Sequence, residues 1–145
     1  MPSVTLSTVV MAPRQFTLDE AERLLPRISG LLLRMQELNR EHDQLQEKVW
    51  EVERKMASNG HLLEAELNQA RQRMAKAAAD VNRLIEEVQA LGCELKDVEQ
   101  GLVDFRTVME GREVYLCWKL GEPGIAWWHE LETGFASRRS LPGPS

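Results

Sequence analysis

A heptad rhythm, broken once and then resumed, limits this chain more than any other feature. Ile28, Met35, His42, Val49 and Met56 mark one seam position, and Leu24, Leu31, Leu38, Leu45 and Val52 mark the other. Residues three and four apart share one helix face, so the pattern specifies a long amphipathic helix with a coiled-coil seam. Ser58-Asn59-Gly60 interrupts it. Leu67, Met74, Val81, Val88 and Leu95 then alternate with Leu63, Ala70, Ala77, Leu84 and Leu91. So short a connection folds the second helix back antiparallel on the first, with Val49 near Ala70 and Leu45 near Met74.

The ends of these helices are marked too. Thr17 is a fitting N-cap, and Glu20 stands at the capping-box spacing from it. Pro26 lies inside the pattern, whose phase continues across it, so a kink or a short leading helix is expected there. Gly92 is a natural stop for the second helix, which could also run one turn further to Leu95. His42 faces Ala77 in the seam, the place of a register device or a pH-sensitive weak point. Leu25, Leu32 and Ile85 widen the apolar stripe at the open end, where a two-helix hairpin needs a cover.

The cover is expected from 101–135, which holds three of the four Trp residues and the only Tyr. Here the apolar period changes to two. Glu110-Gly111 reads as a two-residue turn and Gly121-Glu122-Pro123-Gly124 as a four-residue one. The result is a three-stranded antiparallel sheet of Leu102–Val108, Glu113–Leu120 and Ile125–Leu131. Its expected apolar face carries Val103, Trp118 and Trp127, then Phe105, Leu116 and His129. The other face carries Asp104, Cys117 and Trp128, then Arg106, Tyr115 and Glu130. The expected fold is therefore α+β, a long antiparallel two-helix hairpin with a C-terminal sheet packed at its open end. The expected domain spans 16–141, with 16–95 helical and 101–135 forming the sheet. Residues 1–15 and 142–145 read as tails, with Met11 an alternative start.

Charge and cysteine usage narrow the class of function. A net charge of −5 and the lack of a basic run argue against nucleic acid. No apolar run approaches the roughly 20 residues of a membrane span, and the N-terminus lacks a basic signal-peptide region. Cys93 and Cys117 are too few for a disulfide framework, which points to a reducing, cytoplasmic setting.

The residues that could carry chemistry gather in the last third. Asp104, Cys117, Trp128, Glu130, Arg112 and Arg138 are the candidates for a ligand or small-anion site. Asp104, Cys117, Glu130 and His129 are the candidates for a divalent metal, though the spacing matches no recognised ligand motif. No other cofactor is indicated. With His129 assigned to the apolar face, Cys117 lacks a histidine partner for nucleophilic catalysis. Trp50, on the outer side of the first helix, is a candidate partner contact. The long seam and Trp50 favour a non-enzymatic scaffold or adaptor that self-associates as a dimer. The alternative is a metal- or anion-binding protein, or an enzyme, with its site on the polar sheet face.

The stretches FTLDEAERLLP, GLVDF, GREVYLCWKLGE and WWHELETGFASR together resemble a bacterial family of uncharacterised proteins, domain of unknown function 2203. The resemblance runs from Phe16 to about Leu141. It departs at Arg106, where the family usually has proline after the Asp-Phe pair. It implies kinship and no particular activity. The matching signature positions include Asp104, Cys117, Glu122, His129, Phe135 and Arg138.

Overall fold

A computed structural model describes residues 14–59 and 63–142. Helix α1 covers Leu18–Asn59 and α2 covers Glu64–Ala90. Five strands follow, β1 Glu94–Asp97, β2 Leu102–Met109, β3 Arg112–Lys119, β4 Trp127–His129 and β5 Arg139–Ser140. They form one antiparallel sheet in the order β1-β2-β3-β4-β5. The fold is α+β. No helix among the described residues is long and apolar enough to cross a membrane. The expected N-terminal tail up to residue 13, the Met11 start, Gly60 at the helix break and the last three residues lie outside the described residues.

The chain divides into two compact units. Residues 28–87 form a helical unit and 14–27 with 88–142 form a sheet unit. In the helical unit Ile28, Leu32, Met35, Leu38, Leu45, Val49 and Val52 are buried along α1, and Leu67, Ala70 and Ala77 along α2. Leu45, Val49, Val52, Leu67 and Ala70 form one core cluster, joined by Met56, Leu63 and Met74. The antiparallel sense is visible in the clefts between the helices, one lined by Leu38 and Ala77 and another by Leu45 and Ala70. Lys48–Glu66 and Arg71–Glu53 ion pairs bridge the helices outside the core. His42 is only half-buried, beside Asp43.

The sheet unit begins with the expected cap. The Thr17 hydroxyl accepts the Glu20 amide at 3.1 Å, and Glu20 accepts the Thr17 amide at 2.8 Å. Helix α1 runs through Pro26, and α2 ends at Ala90 with Gly92 in the left-handed region at φ +99°. Phe16 ties the start of α1 to the sheet. Its amide donates to the Arg106 carbonyl at 2.7 Å and its ring meets Phe105 edge-on at 5.3 Å. Glu22 on α1 accepts the Ile125 amide at 3.0 Å.

The β2–β3 register agrees with expectation in full, including Val103↔Trp118, Asp104↔Cys117 and Phe105↔Leu116. Glu110 and Gly111, both at positive φ, make the two-residue turn whose twist suits a hairpin. The sheet is larger than the expected three strands. Glu94–Asp97 adds an edge strand beside β2, with a bulge between Leu95 and Asp97, and Arg139–Ser140 adds another beside β4.

The fourth strand is shifted by one residue from the expected pairing. Cys117 lies opposite Trp127 and Leu116 opposite Trp128, while Tyr115 pairs with His129. The cause is the connection after β3. Glu122 closes a tight turn onto Lys119, its amide donating to the Lys119 carbonyl at 2.9 Å and its carboxylate accepting the Lys119 amide at 2.8 Å. Residues 123–126 then run outside the ladder before β4 begins. Because side chains alternate, the slip exchanges the two faces of β4. His129 and Trp127 move to the face of Asp104, and Trp128 moves to that of Leu116.

Candidate functional site

The exchanged face of β4 assembles the most distinctive cluster of the sheet unit. Asp104 on β2, Cys117 on β3 and His129 on β4 are 3 %, 1 % and 2 % exposed. Asp104 and His129 are two strands apart and reach each other across β3, where the small Cys117 side chain leaves room between them. His129 Nε2 lies 2.9 Å from Asp104 Oδ2. Its Nδ1 lies 2.7 Å from the Glu130 carbonyl oxygen, which can only accept, so Nδ1 carries the hydrogen. Nε2 therefore presents its remaining bond to Asp104, and a proton holds the two together. Donor atoms from Asp104, Cys117 and His129 all lie within 4.8 Å of one another.

Charged and aromatic side chains surround this cluster on two sides. On one side the Tyr115 ring lies 5.3 Å from His129, and its hydroxyl donates to Glu94 at 2.8 Å. Glu94 also accepts from Lys96 at 3.0 Å and Arg106 at 3.1 Å. Burial pulls the Glu94 carboxyl upward, but these donors leave it below the usual carboxylate range. On the other side Arg138 lies over Trp127, the residue paired with Cys117. Its guanidinium makes a bidentate pair with Glu122 at 3.0 and 2.9 Å and sits over Trp127 and Phe135, at 4.8 and 4.3 Å from their ring centres. Arg138 offsets the burial of Glu122 and keeps that carboxylate ionised.

The protonation of the cluster decides what chemistry it can do unaided. Burial raises the Asp104 carboxyl above its ordinary range, against the pull of His129. Burial, with the neighbouring Asp104, pushes the Cys117 thiol up to about 12. A nucleophilic cysteine needs a thiolate and a base that takes its proton. Here the histidine, on the cysteine's own face, turns its free nitrogen to the aspartate. The arrangement does not activate a nucleophile.

It does suit a cation. The donor set of one thiol, one imidazole and one carboxylate is drawn from the ordinary zinc ligands. The Nδ1–H bond to the Glu130 carbonyl is the outer hydrogen bond that orients a metal-ligating histidine. A tetrahedral ion separates its donors by roughly 3.3–3.7 Å, a spacing that lies between the 2.9 Å His–Asp contact and the 4.8 Å limit of the cluster, so small side-chain adjustments would let Asp104, Cys117 and His129 hold it.

The sequence candidates thus fall into two groups. Asp104, Cys117 and Arg138 come together, with His129 among them. Trp128, Glu130 and Arg112 form a separate surface cluster, where Glu130 pairs with Arg112 and Trp128 lies 5.6 and 5.2 Å from the Arg112 and Arg139 guanidinium carbons. Glu130 enters the buried cluster only through its backbone carbonyl. His129 as the partner of Asp104, and Glu122 as the anchor of Arg138, are the roles that sequence reasoning missed. An Asp inside the apolar run Leu102–Phe105 is the signal for the first, since a buried carboxyl must find a partner. Trp50, on the helical unit, is 57 % exposed. A cleft of about 590 Å³ lies by the opposite sheet face, between Phe16, Leu18, Met109, Leu116 and Leu141; its walls offer no cluster of metal donors.

The family model described as "Uncharacterized conserved protein (DUF2203)" matches residues 14–141. No curated protein and no solved structure matches the chain.

Proposed function

The chain belongs to the DUF2203 family of uncharacterised conserved proteins, and we propose that it binds one divalent metal ion, zinc by preference, through Asp104, Cys117 and His129. The convergence of those three donors within 4.8 Å carries the reading. Thiolate and imidazole favour zinc over magnesium or calcium, which take oxygen ligands. The three side chains come from adjacent strands of a rigid sheet, so little ordering is left for the ion to impose. When zinc enters, the thiol proton and the proton held between Asp104 and His129 leave. The test is the metal content of protein purified without an affinity tag and reconstituted with zinc. About one zinc per chain, lost in His129→Ala, supports the proposal; no retained zinc after reconstitution defeats it.

A second reading concerns the helical unit. The chain acts as a scaffold that self-associates as a dimer through its helical hairpin, by the outer surface of α1, since the heptad seam is already buried between the two helices. What supports it is exposed apolar surface on α1, with Trp50 at 57 % and Leu33 at 56 %. A cytoplasmic location fits both readings, and the two free, buried cysteines support it. Sedimentation at several concentrations tests the dimer, and a strictly monomeric species would count against it.

A further inference from the structure

With all three donors almost fully buried, an ion can reach them only if some part of the unit moves, and the layer around them is unevenly fastened. Beside Asp104 the strands are the hydrogen-bonded ladder β1–β2–β3, tied also by Tyr115, Glu94 and Arg106. Beside Cys117 the cover is the C-terminal segment 134–141. That segment has no buried residue in its short Phe135–Ser137 turn, and its strand β5 is two exposed residues long and pairs only with β4. Its last backbone tie in the sheet is the Leu141 amide donating to Ala126 at 2.8 Å.

A charged contact fastens this segment to the turn after β3. Arg138 lies over Trp127, the strand partner of Cys117, and is held there by the bidentate pair with Glu122. Glu122 is itself fixed by that tight turn, which also supplies the carbonyl that the Trp118 indole donates to at 3.0 Å. Segments with few buried contacts and short edge pairing open locally far more readily than the strands beneath them.

We infer that residues 134–141 form a strap over the Asp104–Cys117–His129 site, latched by the Arg138–Glu122 pair, and that its opening sets the rate at which a metal ion enters and leaves. The inference rests on the metal-binding reading. A gate has a kinetic signature that a ligand-stabilising contact lacks. Loosening it speeds entry and exit by the same factor and leaves affinity unchanged.

The experiment compares zinc association and zinc transfer to a chromophoric chelator in the unaltered protein and in Glu122→Gln. The new side-chain amide can still accept from the Lys119 N–H through its carbonyl oxygen, while the ionic latch is lost. Both rates should rise together, on the order of tenfold, the scale of one charge-assisted bidentate contact. Unchanged rates, or a faster exit with weaker binding and the same entry, would overturn the strap. A protein that binds no zinc at all removes the metal reading instead, and so is told apart from either. Hydrogen exchange on the unaltered chain gives an independent check. The Leu141 amide should exchange faster than the amides of β2 and β3 and slow on zinc loading, although Leu141 is no ligand. Equal protection of Leu141 and the central strands, or no change on loading, would also contradict the strap.

Discussion

His129 Nε2 lies 2.9 Å from Asp104 Oδ2, on the same face of the sheet and one strand on either side of Cys117. Since Nδ1 is committed to the Glu130 carbonyl, a proton or a metal ion must sit between the other nitrogen and the carboxylate. This separates two substitutions. In Asp104→Asn the amide can donate to Nε2, so the metal-free stability should fall by no more than about 1 kcal/mol while zinc binding is lost. Asp104→Leu leaves Nε2 buried without a partner and should lower stability by about 1–3 kcal/mol. Urea unfolding and zinc titration of both variants check this; equal destabilisation by the two would show that the pairing is unimportant.

The buried thiols make the metal-free protein sensitive to alkali. Burial pushes Cys93 up to about 11 and Cys117, with Asp104 beside it, up to about 12, from an ordinary value of 9.0. The unfolded chain therefore loses these protons first. Their contribution to stability is complete below about pH 9 and declines as pH rises through the folded values. Thermal melting from about pH 8 to 11 should show a steeper alkaline decline in the unaltered protein than in a Cys93→Ala, Cys117→Ala double variant. Parallel profiles would contradict the assignment.

Trp118 and Trp127 differ in role because β4 is shifted. Trp118 is 2 % exposed on the face with Phe105 and Leu116. Trp118→Ala should cost roughly 3–5 kcal/mol and unfold or aggregate the protein. Trp127 is only half-buried, on the opposite face beneath Arg138, so Trp127→Ala should leave the fold in place at a cost below about 2 kcal/mol and loosen the C-terminal segment. Thermal denaturation of the two variants decides it, and an equally severe loss in Trp127→Ala would contradict the faces described here.

The helix start offers a smaller, cleaner effect. Thr17→Ala removes the side-chain half of the capping box while leaving the Glu20 contact to its amide. A loss of about 1 kcal/mol in chemical denaturation is predicted. No change would mean that the Phe16 contacts alone set the start of α1.

The elements legible in the sequence are those with repeated local signals. The Thr17 cap, the Gly92 stop and the Glu110-Gly111 turn each state their role within a few residues, and each is found in place. Most of the seam is buried as expected, but Leu24 and Leu31 are half-buried beside buried Leu25 and Leu32, and Leu95, expected as the last helical seam residue, lies in β1. The face of β4 is not readable in the same way. Trp127 and Trp128 are both large and aromatic, so hydrophobic alternation does not choose between them, and the choice falls to the turn at Lys119–Glu122, whose side-chain closure leaves no pattern. Strand β1 is a polar Glu-Leu-Lys-Asp run at the end of a helical seam, and β5 is two polar residues. Both exist through pairing with a neighbour, which single-chain periodicity does not report. The site inherits the same ambiguity. Asp104, Cys117 and Arg138 are legible as candidates, but an unshifted β4 groups Trp128, Glu130 and Arg112 with them across a face they do not share.

Cobalt substitution tests the central claim most directly, because it reports the ion's ligands as well as its presence. Cobalt(II) in this site should bind at about one ion per chain, with intense tetrahedral visible bands and a thiolate-to-metal charge-transfer band in the near ultraviolet. Cys117→Ser should abolish the charge-transfer band, and His129→Ala should abolish tight binding. A chain that takes up no stoichiometric cobalt, or whose spectrum is the same in Cys117→Ser, would contradict the assignment of Asp104, Cys117 and His129 as a metal site.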